Sequence, residues 1–294
     1  MAKFNKINQI VVIGSTGLLG QALKTEARKR EVDLVGIARR GAEYSVDATE
    51  KKKLINTLDN IQPRLIINTA AQVSIDGCEK NRAGAYLLNA GLVATLTDYC
   101  RLRAVKLCQI STDHYFSGDG NLLHDETCQV VLLNEYARTK YAGECFALTD
   151  PNNLILRTNI VGYRGWAGLP TFVEWAIAGL VAVKPMALFE DFYTSSIDVS
   201  NFSKSLFDLL EKDACGLFNL AARESNSKSE FILRLAKKLK FDTSGCSTGS
   251  IRSLTEVCRA ESLGLNVSYA ESVLGYRLPD LESVVESLAK EYKG

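Results

Sequence analysis

The chain has 294 residues, with 35 Lys and Arg against 34 Asp and Glu for a formal net charge of +1, and 46% of its residues are hydrophobic. That balance offers no overall field for nucleic acid or for an anionic membrane surface, and no apolar run approaches the ~20 residues that span a bilayer. The size suits a single α/β unit with an added lobe. The opening, MAKFNKINQIVVIG, holds one short apolar run that ends at Gly14 with no small-residue cleavage site after it, so 9–14 reads as a first strand and not as a signal peptide. Near-continuous apolar runs recur as DLVGIA (33–38), RLIINTAA (64–71), VKLCQIST (105–112) and NLILRT (153–158), the composition of strands covered on both faces. Helical periodicity fills the gaps at 18–28, 83–103 and 134–148. Alternation at this spacing predicts right-handed crossovers and an α/β, doubly wound parallel sheet.

After Thr158 the rhythm changes. The segment 159–170 carries three glycines and two aromatics, an apolar helix is expected over 171–183, and 196–210 reads as a further helix. GLFNLAA (216–222) reads as a late strand, and the tail 226–292 is helical and more polar, broken by a Ser/Gly stretch at 243–250. The expected organisation is a cofactor domain over 1–158, with 193–222 returning to it. A smaller, discontinuous C-terminal lobe, 159–192 and 223–294, is expected over the carboxyl ends of the strands, where ligands bind in such sheets. The eight cysteines are scattered singly without a C-x-x-C pair, and His114 and His124 are the only histidines. This predicts reduced thiols in a cytoplasmic protein and no metal site.

Gly14-x-x-Gly17-x-x-Gly20 follows the first strand and opens the first helix. Glycines there allow a tight turn and close approach of backbone to a pyrophosphate facing the helix N-terminus, which makes Gly14, Ser15, Thr16, Gly17, Leu18 and Leu19 the candidate dinucleotide loop. Arg39 and Arg40 stand just past the second strand, where an NAD site usually places an acid; guanidinium groups suit a 2′-phosphate, and a solvated charge pair is the other reading. Tyr136-Ala-Arg-Thr-Lys140 puts a phenol and an ammonium on one helical face. A nearby cation favours phenolate, so this phenol can exchange a proton with a carbonyl oxygen. Ser111-Thr112-Asp113 closes the run VKLCQIST and places a hydroxyl at the sheet's carboxyl end.

These motifs together give a Rossmann-like chain that resembles the extended short-chain dehydrogenase/reductases, and within them the dTDP-4-dehydrorhamnose reductase family and related sugar-nucleotide reductases. The resemblance runs through VVIGSTGLLGQAL (11–23), IINTAAQVSIDGCE (66–79), Asn89, STDHYFSGDG (111–120), HDET (124–127), LNEYARTKYAGE (133–144) and LRTNIVGYRGW (156–166). It implies hydride transfer from NADP(H), with NAD(H) as the alternative, to the ketone of a nucleotide-activated sugar, in deoxysugar or cell-surface polysaccharide biosynthesis. Tyr136 would protonate the developing alkoxide, Thr112 would donate to the same oxygen, and Lys140 would tune Tyr136 and hold the nicotinamide ribose. It also adds Asp47, as an adenine contact or else a helix N-cap before Glu50, together with Ala70, Ala71 and Asn89, to the cofactor set. A nucleotide-sugar substrate is the implied partner, with no nucleic acid or membrane, and a homodimer is compatible with the family.

Departures from the family pattern are Ala137 after the tyrosine, Leu133 before the asparagine, Asn159-Ile160 in place of a Ser-Trp pair, and Arg259-Ala260 in place of Arg-Pro. Thr112-Asp113-His114 lacks the glutamate of the sugar-nucleotide dehydratases, and His114 reads as a packing or capping residue. Two alternatives stay open. One is a non-catalytic subunit resembling the regulatory β subunit of methionine adenosyltransferase, against which the intact Thr112, Tyr136 and Lys140 speak. The other is a sugar-nucleotide epimerase, against which Arg39 and Arg40 speak.

Overall fold

The structure is a computed structural model and describes residues 9–254 and 256–293. Two compact units divide the chain. The first comprises 9–112, Asn134–Arg157 and Leu206–Phe218; the second comprises Asp113–Leu133, Thr158–Ser205 and 219–293. The expected cofactor region overlaps the first unit, whereas 113–133 and 193–205 pack within the second.

In the first unit the apolar runs become strands β1 (Ile10–Ile13), β2 (Leu34–Ala38), β3 (Tyr44–Ser45), β4 (Leu65–Asn68), β5 (Lys106–Ile110) and β6 (Leu154–Arg157). Together with Gly216–Asn219 on the outer side of β6, they form one seven-stranded sheet in the order Gly216–Asn219, β6, β5, β4, β1, β2, β3. Every ladder from β6 to β3 is parallel. The order reverses at β1, which lies between β2 and β4, and the carboxyl ends of those strands form the crevice that such sheets use for ligands. The β1 and β4 residues are all buried, which accounts for runs without polar alternation.

The connecting helices are α1 (Leu18–Lys29), α2 (Lys51–Ile61), α3 (Ile75–Lys80), α4 (Arg82–Tyr86), α5 (Leu92–Arg103) and α6 (Glu135–Leu148). The helix expected over 83–103 is interrupted by a π-helical turn, Leu87–Gly91. On one side of the sheet Val11, Ile66 and Leu107 pack with Leu54 and Leu58 of α2 and with Val93 and Leu96 of α5.

The second unit has its own core. Val173, Ala176 and Ile177 of the helix Phe172–Val181 pack with Phe231, Ile232 and Leu235 of Lys228–Leu239, and with Val284 and Leu288 of Leu281–Glu291. A capping box, Thr171 with Glu174, starts the first of these helices, which ends at Val181 and not at 183; Val183 itself adopts a left-handed φ of 46°. The stretch 243–250, expected as a break, contains the strand Cys246–Gly249 paired in parallel with Met186–Phe189. Gly249 fits that ladder because a Cβ there would lie 3.0 Å from Ala187, so its small size, which reads as a breaker in sequence, serves close packing.

Candidate active site

Gly14 ends β1 with φ of 86°, and a Cβ there would lie 2.7 Å from Thr69 Oγ1 and 2.9 Å from the Ala70 nitrogen. A side chain would therefore meet both backbone strain and the β4 end. A Cβ on Gly20 would lie 2.5 Å from the Gly14 carbonyl oxygen, so α1 can press against the loop only without one. Gly17 caps α1 with no side-chain hydrogen bond, and the first turn, beginning at Leu18, carries no acidic residue. Its free N–H groups and the positive helix end suit an anion. Ser15 is 1% exposed and its hydroxyl lacks a partner among the described residues. Thr16 gives its carbonyl to Gln21, and Leu19 is buried in the core. A glycine cradle, an uncapped helix end and an orphaned hydroxyl all fit a pyrophosphate.

Arg39 and Arg40 are exposed after β2. Nearby, Glu43 accepts from the Gly36 N–H at 3.0 Å and from Lys24 at 2.8 Å. Burial pushes its carboxyl up, but the Lys24 and backbone hydrogen bonds prevail and hold it low. Asp47 accepts from both the Thr49 N–H and hydroxyl, 2.9 and 2.7 Å, which hold its carboxyl below the usual range. It thus closes the turn before α2, while the helix's N-cap position is Glu50.

At the β4 end, the Ala70 N–H donates to Asn68 Oδ1 at 3.2 Å, and Ala71 follows, partly buried. Asn89, 2% exposed in the π turn, accepts from the Gln72 N–H at 2.8 Å and donates to the Gln72 carbonyl and to Thr139 Oγ1 at 3.1 Å each. One amide therefore ties the loop after β4 to α6, and the π turn is what aims it there. A Cβ on Gly143 of α6 would come 2.2 Å from the Asn89 carbonyl oxygen, so these two helices meet backbone to backbone.

Asn134 caps α6 by accepting from the Ala137 N–H at 2.9 Å. Two residues on, the Tyr136 hydroxyl donates to Thr112 Oγ1 at 3.2 Å; both residues are buried. Lys140, one turn later and 5% exposed, donates to the Ile110 carbonyl at 2.6 Å. Burial brings its pKa down to about 8, opposed by the charge of Glu144. So the end of β5 receives the ammonium at Ile110 and the phenol at Thr112.

Ser111 lies between those two positions, and sequence reasoning missed what holds it. Its hydroxyl donates to Glu144 at 2.7 Å, and Glu144 also pairs with Arg157 of β6 at 2.6 Å, with side chains only 1% and 4% exposed. The signal was present: Tyr136, Lys140 and Glu144 are spaced four apart and share one face of α6. In the second unit, His114 lies edge-on to Phe192, and burial, with Lys228 and Arg259 adding to it, pushes its pKa down to about 3. It is neutral near pH 7 but only weakly basic, far below the pKa that suits a general base.

A doubly wound parallel sheet with a glycine-rich first turn, and a Tyr–Lys pair on one helix facing a threonine at a strand end, defines a protein of the extended short-chain dehydrogenase/reductase class. Within it, the chain belongs to the RmlD substrate binding domain family, whose model matches residues 8–293. It is 28% identical over 288 residues to the "Probable low-salt glycan biosynthesis reductase Agl14" of Haloferax volcanii, covering 94% of this chain and 96% of that protein. It is 32% identical over 158 residues to the dTDP-4-dehydrorhamnose reductase of Salmonella typhimurium, a match over about half of each, 53% and 52%. Among solved structures, the dTDP-4-dehydrorhamnose reductase of Bacillus anthracis in complex with NADP superposes with a TM-score of 0.87 at 24% identity, covering 97% of this chain and 99% of that one. At that identity the likeness is one of fold.

Proposed function

We propose that the protein is an NADPH-dependent reductase of the keto group of a nucleotide-activated sugar, with a dTDP-linked 4-keto-6-deoxy sugar as its substrate, working in deoxysugar or cell-surface polysaccharide biosynthesis in the cytoplasm. The observation that carries the reading is the 3.2 Å hydrogen bond between the Tyr136 and Thr112 hydroxyls, with Lys140 buried one helical turn away. Relatives named as reductases of such sugars, and the absence among the described residues of any helix long and apolar enough to cross a membrane, support it.

The loop Gly14, Ser15, Thr16, Gly17, Leu18 and Leu19 would hold the pyrophosphate of the cofactor. Arg39 and Arg40 would face the 2′-phosphate, Asp47 the adenine, and Ala70, Ala71 and Asn89 would line the remaining wall. Bound reduced nicotinamide supplies the hydride. Tyr136 supplies the proton: its hydroxyl delivers it to the developing alkoxide as general acid. Thr112 donates a hydrogen bond to the same oxygen and stabilises its growing charge. Lys140, fixed by the Ile110 carbonyl, sets the local positive potential and would hold the cofactor's ribose with its remaining donors. The second unit would bind the sugar nucleotide.

The test is direct. Purified protein with NADPH and dTDP-4-keto-6-deoxyglucose should consume the reduced cofactor in step with loss of the ketone. Tyr136→Phe should stop that consumption while still binding NADPH. Consumption at the unmodified rate by Tyr136→Phe would overturn the role given to Tyr136, and no consumption by the unmodified protein would overturn the reductase reading in favour of the regulatory-subunit one.

A further inference from the structure

A polar network in the second unit has no part in the Thr–Tyr–Lys chemistry. Asp113, directly after Thr112 in the chain, is 1% exposed, and its carboxylate accepts from Asn159 Nδ2 at 2.7 Å. Ser196 Oγ donates to Asn159 Oδ1 at 3.0 Å and lies 2.9 Å from Thr194 Oγ1. Lys228 Nζ donates to Ser196 Oγ at 3.3 Å. Asn159 and Ser196 thus link Asp113 to Lys228, and Asn159 is one of the positions where the sequence departs from the family pattern.

Lys228 is an expensive residue in this place. Its ammonium lies 4.3 Å from the ring centroid of Phe172 and 5.8 Å from that of Phe192, ring faces that attract a cation but offer it no hydrogen-bond acceptor. Among the described residues it has one long hydrogen bond, where an ammonium offers three donors. It opens the helix Lys228–Leu239 just after the cap Ser227, the end at which the helix dipole opposes a cation. Burial lowers its pKa to about 8, partly offset by the charge of Asp113, so it is still protonated near neutrality. The field of a second cation, Arg259, overlaps here, since both act on His114. Packing alone would be served by a methionine of similar length without these costs.

We infer that Lys228 is an anion-binding specificity residue, whose ammonium, steered by Ser196, takes a phosphate or carboxylate oxygen of the nucleotide sugar. An anionic oxygen offsets a desolvated ammonium where a neutral hydroxyl offsets only part, and the helix dipole that opposes the lysine adds to the attraction for its ligand. The proposal rests on the nucleotide-sugar reading above and adds to it the residue that recognises charge on the substrate.

The experiment is calorimetric titration of the full-length protein and of Lys228→Met with uridine, UDP, UDP-glucose and UDP-glucuronate, with dTDP-glucose as a control for the base. If the anion is the diphosphate, Lys228→Met should weaken UDP and all three nucleotide sugars by about ten- to a hundredfold and leave uridine unchanged. If it is a carboxylate on the sugar, UDP-glucuronate alone should weaken by that factor. NADPH affinity should stay as it was, and the thermal midpoint should hold or rise, since a costly charge has been removed; Lys228→Arg should recover part of the lost affinity. Equal affinities of both proteins for every ligand would overturn the inference while leaving the reductase reading in place. Failure of the unmodified protein to bind any of the nucleotide sugars would overturn both.

Discussion

Each unit holds a lysine whose pKa burial brings down to about 8, and the two are treated differently. Lys140 has a carbonyl acceptor at 2.6 Å, supplied by the last residue of β5, and a carboxylate one turn further along its own helix. Lys228 has a hydroxyl at 3.3 Å and two phenyl rings. The first cation is anchored by the fold, so its position is fixed whether or not anything binds. The second is held by a longer hydrogen bond to a side-chain hydroxyl and, like the first, keeps donors to spare. The short bond to the backbone serves geometry at Lys140; on the inference above, the more loosely held Lys228 serves recognition.

The sharpest break between the two regions is kinetic. Tyr136→Phe should lower turnover by about 10²–10⁴-fold, the range for a positioned general acid, with NADPH and nucleotide-sugar affinities nearly unchanged. Lys228→Met should do the reverse, altering nucleotide-sugar affinity and leaving the chemical step alone. Single-turnover rates at saturating substrate separate the two, and a large loss in that rate for Lys228→Met would erase the distinction.

Next in size is the brace behind the catalytic set. Glu144→Gln removes the carboxylate from a buried pair with Arg157, which should cost about 3–5 kcal/mol of stability. Denaturant unfolding measures it. Replacing both Glu144 and Arg157 with methionine should restore much of that loss, because both charges are gone, but not activity, because the Glu144 carboxylate no longer holds Ser111.

A smaller effect concerns pH. The folded-state pKa of Lys228 lies below the ordinary lysine value of 10.5, so between pH 8 and 10.5 the unfolded chain binds more protons than the fold. Stability should therefore rise with pH through that window on account of this residue. Lys228→Met should be the more stable protein near pH 7, by about 1–3 kcal/mol, with the advantage shrinking as pH climbs to 10.5. Thermal midpoints across the range test this; an advantage that grew with pH would contradict it.

The smallest effect is cofactor choice. Changing Arg39 and Arg40 to alanine should weaken NADPH by about tenfold and leave NADH nearly unaffected, since one exposed charged contact contributes roughly 1–2 kcal/mol. Fluorescence titration of both cofactors reads it.

How much of this was legible in the sequence differs between the regions as well. The strands β1, β4, β5 and β6 announced themselves because both faces are covered and the runs are unbroken. The alternation around them fixed the sheet, and the Gly14 loop, Thr112, Tyr136 and Lys140 could be read from spacing because each sits at an element's end or on one helical face. The π turn at Leu87–Gly91 was invisible, since one extra residue per turn leaves an apolar pattern that still reads as helix. Glu144 passed for an ordinary helical charge; only its neighbours Ser111 and Arg157, from two strands, show that it is buried. In the second unit the strands are two to four residues long and pair with distant partners, as Met186–Phe189 does with Cys246–Gly249, so periodicity had nothing to register. Lys228 sat in a polar tail where a lysine draws no notice.

The division of the first unit into three chain segments bears on how the protein is made. On a ribosome, the sheet from β3 to β6 can assemble once residue 157 has emerged, but Gly216–Asn219 comes only after a long stretch of the second unit. Until then β6 is an open edge of Leu154, Ile155 and Leu156, with unpaired backbone groups and apolar side chains. The nascent chain thus passes through a stage that is prone to edge-to-edge association, and chaperone demand during synthesis should peak there. A fragment cut at 158 would be held permanently at that stage and should aggregate, whereas the same fragment with Leu206–Phe218 supplied in cis by a short linker should stay in solution.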